Sequence, residues 1–283
     1  MKGFLDYLKR NPILGVGMFI LIALMLFTSV GRLFIDKNAA YAQTINLNKP
    51  PGPGHPFGTD AQGRDLLAMM IIGTGKTLQI GAIAGAIGLG VGIVLGFVAG
   101  YSGGILDTII TSVIDVYMTI PAFLILIMIA SFFKDVTANV TAMGLVVSLV
   151  SWAGPARAIR AQVLSMRERP FVWMAKLAGM GSFEIIMKEL VPNLLPFLVM
   201  SLSQSIYGAL MASLGLEALG IGARREPTMG MTLFYVQYYS AFLLGLWWWI
   251  IEPVAIIVLT LTSLVLISIG LDEIANPRSR RKV

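Results

Sequence analysis

The sequence has no cysteine. Disulfides, thiolate metal sites and cysteine nucleophiles are therefore excluded. It has a single histidine, His55, in a Pro/Gly-rich loop. One histidine cannot build a multi-histidine metal centre, and His55 reads as a solvated loop side chain. No HExxH signature occurs, and with no cysteine and one histidine a membrane enzyme has little support. Charge is also scarce. Only 13% of the 283 residues are charged, against about 25% in an ordinary soluble domain. Hydrophobic residues make up 57%, and mean hydropathy is +0.81. A soluble fold of this size would lack the polar surface to cover such a core. The composition is that of an integral membrane protein. The net charge of +6 does not point to nucleic acid, because the basic residues sit beside hydrophobic segments, as in cytoplasmic loops.

A helix needs about 20 apolar residues to cross the hydrocarbon core. Six stretches qualify: Pro12 to Leu33, Leu78 to Tyr101, Leu106 to Phe133, Val136 to Ala158, Leu194 to Gly222 and Ala241 to Gly270. The third is interrupted by Asp107, Asp115 and Pro121. The first exceeds the 7–15 apolar residues of a signal peptide, and Arg32, Asp36 and Lys37 separate it from the A-x-A-like Ala40-Tyr41-Ala42. It is expected to remain as a span.

With the N-terminus inside, thirteen of the 21 Lys and Arg residues fall in the two termini, the 101–106 turn and the 157–193 loop. Both termini are therefore expected in the cytoplasm. This orientation disposes of a decoy. Gly73-Thr74-Gly75-Lys76-Thr77 resembles the end of a phosphate-binding loop, but the earlier glycine that the pattern needs is Met70. Lys76 would also lie on the outer side, and the stretch reads as small residues entering the second span.

The long inner loop from Arg169 to Pro196 reads as two short helices about a glycine. Pro170 suits a helix start. Phe171, Met174, Ala175 and Ala178 recur at helical spacing as an apolar stripe. Gly179 or Gly181 permits the reversal. Ser182 is expected to cap the second helix, and Glu184 suits its positive end. Such a helix either lies on lipid headgroups or docks a soluble partner.

The loop resembles the EAA loop of ABC-importer permeases, roughly F-V-E-A-A-R-x-L-G-A-S followed by I-L-P-N. Here it reads Phe171, Val172, Trp173, Met174, Ala175, Lys176, Leu177, Ala178, Gly179, then Leu190-Val191-Pro192-Asn193. HPFGTDAQGRDLL (55–67), GTGKTLQIG (73–81), GYSGGILD (100–107), DVYMTIPAFLI (115–125), SWAGPARAIRAQVL (151–164), LEALGIG (216–222) and NPR (276–278) are similar, in order, to segments of the dipeptide/oligopeptide/nickel permeases. The sequence departs from that pattern at five places. Trp173 replaces the loop's acid and Met174 its next alanine, Gly75 an arginine, Glu217 a small polar residue, and Glu252 a proline.

The resemblance implies an all-α polytopic protein with six transmembrane helices and a cytoplasmic coupling-helix loop, the type I ABC importer permease. Residues 1–75 would hold the tail, first span and long outer loop. Residues 76–283 would form the permease core, with a coupling loop at about 165–193. The chain would sit in the plasma (inner) membrane of a prokaryote. Its implied partners are a homologous second permease, two ATPase subunits and an extracytoplasmic solute-binding protein. It would bind no cofactor or metal; ATP and Mg would belong to the ATPases. Residues 171–179 would contact the ATPase. The implied solutes are short peptides or oligosaccharides; nickel is disfavoured by the lack of His and thiolate ligands. Trp247, Trp248 and Trp249 read as interface anchors. Four acids need a role. Asp107 and Asp115 are expected to be structural, paired with Arg157 or Arg160. Glu217 and Glu252 are expected either to pair with Arg224 and Arg225 or to form an outer gate. The alternative function is a secondary transporter or channel that uses the intramembrane carboxylates.

Overall fold

The computed structural model describes residues 11–133 and 139–275. The basic N-terminal tail, Lys134, the expected span start at Val136 and the NPR tail lie outside the described residues. Among the described residues, the regular elements are helices, with isolated β-bridges at Gly52–His55 and Thr59–Asp65.

Helix α1, Pro12–Gly31, opens on a proline whose missing N–H is unneeded in a first turn. Its 20 residues match the roughly 30 Å of a hydrocarbon core. Helix α2 runs from Leu66 to Ser102. It starts at Leu66, not Leu78, because the Asp65 carboxylate caps the Ala68 N–H at 2.9 Å. The GTGKT stretch is therefore helix interior. Its Lys76 pairs with Glu226, and its Thr77 hydroxyl accepts from Met229 N at 3.0 Å.

Helices α3, Gly104–Thr119, and α4, Ala122–Phe132, meet at an 83° bend. Pro121 is the cause: it disfavours helical geometry in the residue before it, and Ile120 is extended, with ψ 130°. Helices α5, Val140–Ser148, and α6, Ala153–Arg167, meet at 49°. The third and fourth expected spans are thus broken, and six spans are reached by counting each bent pair as one.

Helix α7 is Pro170–Leu177. A short α8, Ser182–Ile185, passes through a π-helical segment, Ile186–Leu190, into α9, Val191–Ala218. The second loop helix is therefore continuous with the fifth span. Gly181, not Ser182, takes the capping position, and no side chain caps there. Helix α10, Met229–Tyr238, lies where no element was expected, and α11 starts at Trp248 and ends at Ala275.

Helix α2 is the spine. It packs on α6 along one side and α9 along another. Its glycines make this possible. A Cβ on Gly96 would come within 2.9 Å of Ala156 O, and one on Gly100 within 2.9 Å of Arg160 O. On the α9 side, a Cβ on Gly85 would meet Ile206 Cα at 2.7 Å. Small residues let membrane helices approach backbone to backbone.

The bundle has two ends. At one, Arg167 donates to Gly100 O at 3.0 Å, next to α7. At the other, Trp249 Nε1 donates to Thr59 O at 2.9 Å, and the 36–65 loop covers α10 and the start of α11. Trp248 and Trp249 are buried there; of the three tryptophans expected as interface anchors, only Trp247 is exposed.

Candidate functional site

A cleft of about 450 Å³ opens between α6 and the central part of α9, closed at one side by Ala122. Its walls are small: Gly154, Ala158, Gly208, Ala209 and Ala212. Three polar side chains of α9 enter it: Ser201, Gln204 and Ser205. Their i, i+3, i+4 spacing places them on one helix face. None of the three makes a hydrogen bond to another described residue. No charged residue among those described lines the cleft. It therefore offers free neutral donors and acceptors inside an apolar bundle, where unpaired polar groups are costly. Sequence reasoning missed these residues because it looked for charges; the signal was a serine–glutamine–serine face inside an apolar run.

A second space of about 590 Å³ continues toward the α7 end. It is lined by Gln162, Ser165, Arg169, Phe171, Asn193 and Asp272, among others. Phe197 lines both spaces and stands between them.

Helix α7 is seated against the cleft helices. Val172 and Ala175 are buried in one apolar cluster with Ile159 and Val163 of α6 and Leu194 and Leu198 of α9. Phe171 is half-buried against the same cluster. The expected stripe of Phe171, Met174, Ala175 and Ala178 is thus divided. Ala175 faces the bundle, while Trp173, Met174 and Leu177 point away, Leu177 being 83% exposed. Lys176 lies between aromatic rings, 4.9 Å from that of Trp173 and 5.8 Å from that of Tyr101. Ala178 and Gly179 are exposed. Gly179 has φ 82°, and Met180 N donates to Ala175 O at 3.1 Å; this closure of a helix end needs a left-handed residue.

The four acids divide into two kinds. Asp107 of α3 accepts from Arg160 Nε at 2.5 Å and from Arg160 Nη2 at 2.7 Å. Asp115 pairs with Arg157. These two pairs tie α3 to α6. Glu217 and Glu252 do not pair with Arg224 or Arg225. Glu217 is 0% exposed, and neither carboxylate oxygen has a hydrogen-bond partner among the described residues. The Thr228 hydroxyl and the amides of Ala223 and Gly230 lie close by, outside hydrogen-bonding geometry. The cradle closes through two glycines: a Cβ on Gly222 would come within 2.5 Å of Glu217 Cγ, and Gly230 stands against the carboxylate from the other side. Arg224 turns outward, donating to Gly220 O at 2.7 Å, and Arg225 is also exposed. The expected ion-pair set fails because the loop folds its backbone, not its arginines, around the acid. Glu252 is half-buried near Asp65, with Oε2 unpartnered among the described residues. His55 is not a free loop side chain: its Nδ1 lies 2.7 Å from Asp65 Oδ2, and Asn46 Nδ2 lies 3.2 Å from its Nε2.

Residues 92–281 match the family described as the binding-protein-dependent transport system inner membrane component. The chain belongs to this family. It is the permease subunit of an ABC importer, a multi-pass plasma-membrane transport component and not an enzyme. The alternative of a secondary transporter or channel is set aside. The permease is 28% identical over 274 residues to the dipeptide transport system permease protein DppC of Bacillus subtilis, covering 97% of this chain and 84% of that one. It is 31% identical over 234 residues to the oligopeptide transport system permease protein OppC of Mycobacterium bovis, with 83% and 79% covered. It is 33% identical over 227 residues to OppC of Salmonella typhimurium, with 80% and 74% covered. In fold, it is similar to a chain of the inward-facing MetNI methionine ABC transporter, with a TM-score of 0.59, 18% identity, and 75% of this chain and 97% of that one covered.

Proposed function

We propose that this permease forms half of the pathway of an ATP-driven importer of short peptides. The carrying observation is that α6 and α9 line the cleft and also seat α7. A push on α7 then reaches the cleft walls through direct side-chain packing. In this reading the exposed face of Trp173, Met174 and Leu177 enters a groove of an ATPase subunit. That subunit and its twin hold the ATP and Mg²⁺, and this chain holds none. ATPase closure biases two states of the bundle. The α7 end is cytoplasmic, as are both termini. A second, different permease completes the pathway, and a solute-binding protein delivers solute to the far end. Residues 1–75 serve as an accessory first span and outer cap; the importing machinery resides in 76–283.

Peptides fit better than oligosaccharides. The relatives named for their solutes carry dipeptides and oligopeptides. The cleft presents a carboxamide and two hydroxyls able to satisfy peptide bonds, and its small walls admit varied side chains. Phe197 is the one aromatic ring among its described lining residues, too little for sugar stacking on both faces. The test is reconstitution of the chain with its co-purifying subunits in ATP-loaded proteoliposomes. Uptake of labelled di- to pentapeptides is expected, with labelled oligosaccharides excluded. Leu177→Asp is expected to leave ATP hydrolysis running and abolish uptake. Wild-type uptake in that variant would refute the coupling role, and sugar uptake without peptide uptake would refute the solute.

A further inference from the structure

Between α10 and α11 lies a segment that neither the pathway nor the coupling loop uses. Residues 227–251 include no charged side chain. Helix α10 has 10 residues, about 15 Å, and cannot cross a bilayer of about 30 Å. The following turns expose four large apolar side chains: Phe242 (79%), Leu243 (84%), Leu244 and Trp247.

Most of the backbone behind them is closed on itself: of the nine amides in 239–247, seven donate to nearby backbone carbonyls, and those of Phe242 and Leu243 do not. Ala241 N donates to Val236 O at 2.9 Å, Leu244 N to Ser240 O at 3.2 Å, and Leu246 N to Ala241 O at 3.0 Å. Ser240, at φ 52°, and Gly245, at φ 70°, make the reversals that permit this. The segment is also braced from within. Ala241 is fully buried, the Tyr239 hydroxyl accepts from Gln62 Nε2 at 3.0 Å, and the neighbouring Trp249 is tied to Thr59 O. A loop in water has no need to satisfy its own amides while turning its largest apolar side chains outward. At a lipid boundary, where water is scarce, pairing most of them is favoured, and the two unpaired amides belong at headgroup level, not in hydrocarbon.

The exposed patch also runs on without a break into α11, where Ile251, Val254 and Val258 are exposed at helical spacing. Tyr238 and Trp247, aromatic residues of the kind that gather at headgroup level, flank it.

We propose that residues 239–247 form an interfacial foot that inserts Phe242, Leu243, Leu244 and Trp247 into phospholipid at the membrane end remote from α7. The partner is the boundary between headgroups and acyl chains, not a protein. The foot fixes α10 against the leaflet, and α10 supplies Gly230, one wall of the Glu217 cradle.

The native chain has no cysteine, so Leu243→Cys creates a single labelling site. The labelled permease, assembled with its partner subunits in phosphatidylethanolamine/phosphatidylglycerol vesicles, carries an environment-sensitive fluorophore there. Quenching by lipids spin-labelled near the headgroup is expected to remove most of the emission, with aqueous iodide removing little. Quenching by iodide as for free dye would place the segment in water and overturn the proposal. Protection from both quenchers would place it under another protein chain and also overturn it. Leu244→Cys gives the same reading where Leu243→Cys fails to assemble. The readout needs no transport, so it stands or falls independently of the solute and of the coupling role.

Discussion

Arg160 of α6 grips Asp107 of α3 through two parallel hydrogen bonds, 2.5 and 2.7 Å long. Both side chains are partly shielded, so the pair exceeds an ordinary surface salt bridge in worth without the full cost of a buried one. Asp107→Asn is expected to cost about 1–2 kcal/mol of stability. Arg160→Gln is expected to cost a similar amount, and the double variant less than their sum. Thermal unfolding of the purified permease in detergent measures this cycle. Strict additivity would show that the pair contributes nothing. Asp115 with Arg157 is more exposed, and its removal should cost less.

Gly96 and Gly90 belong to the same helix and should respond in opposite ways. A Cβ on Gly96 would lie 2.9 Å from Ala156 O and 2.8 Å from Ile159 Cβ, whereas Gly90 has nothing within 4 Å. Gly96→Leu is expected to abolish assembled protein in the membrane, since backbone cannot give way as a side-chain tip can. Gly90→Ala is expected to express as wild type. Equal expression of the two would mean that α2 and α6 do not pack as described.

Gly179 and Gly181 form a second contrasting pair. Gly179 has φ 82° and Gly181 has φ −70°. A Cβ added to either would meet no described atom within 4 Å, so only backbone conformation separates them. Gly179→Ala is expected to cost about 1–2 kcal/mol, and Gly181→Ala close to nothing. Cysteine crosslinking of α7 to the ATPase would weaken in the first variant alone. An equal loss in both would place the reversal elsewhere.

Gln204 tests the cleft. Gln204→Leu preserves volume and removes the central carboxamide. Peptide uptake is expected to fall about tenfold, the loss that follows from about 1.4 kcal/mol, while ATP hydrolysis by the assembled importer continues. Unchanged uptake would remove the cleft from the route. Phe197→Ala, which joins the two spaces, is expected to raise basal leak of small peptides through the assembled importer.

Glu217 sits where no cation among the described residues faces it. Replacement by Gln removes a desolvated acid and keeps its shape, so assembly and uptake should be retained. Gly222→Val is expected to be severe, because the new side chain strikes Glu217 Cγ. Arg224→Ala and Arg225→Ala should be silent for folding. Collapse of the permease on loss of either arginine would restore the ion-pair reading.

Much of the fold is written in hydropathy. The apolar runs and the proline at 170 mark α1, α2, α7, α9 and α11, since each needs only local information. The acids of α3 and the arginines of α6 were legible as partners because charge inside a membrane must be answered. The breaks were harder to see. Pro121 announces one, but at the 49° bend after Ser148 the proline, Pro155, lies inside the first turn of α6, a place that reads as an ordinary helix start, and α10 hides in an uncharged stretch that continues into α11. The burial of Trp248, Trp249 and Glu217 depends on the 36–65 loop and the 219–228 loop folding back, which no periodicity records. The division of α7 into a seated face and a free face depends likewise on α6 and α9 passing beneath it.

The glycine face of α2 carries a last consequence, one of stiffness. Where backbones touch, two helices have no layer of pliable side chains to shear through. Helices α2, α6 and α9 are therefore bound to travel as one block. Any widening of the pathway has to be taken up at the seams of that block, as at the Pro121 elbow. A stroke delivered at α7 then carries α6 and α9 along together, and does not spread the cleft by parting them from α2.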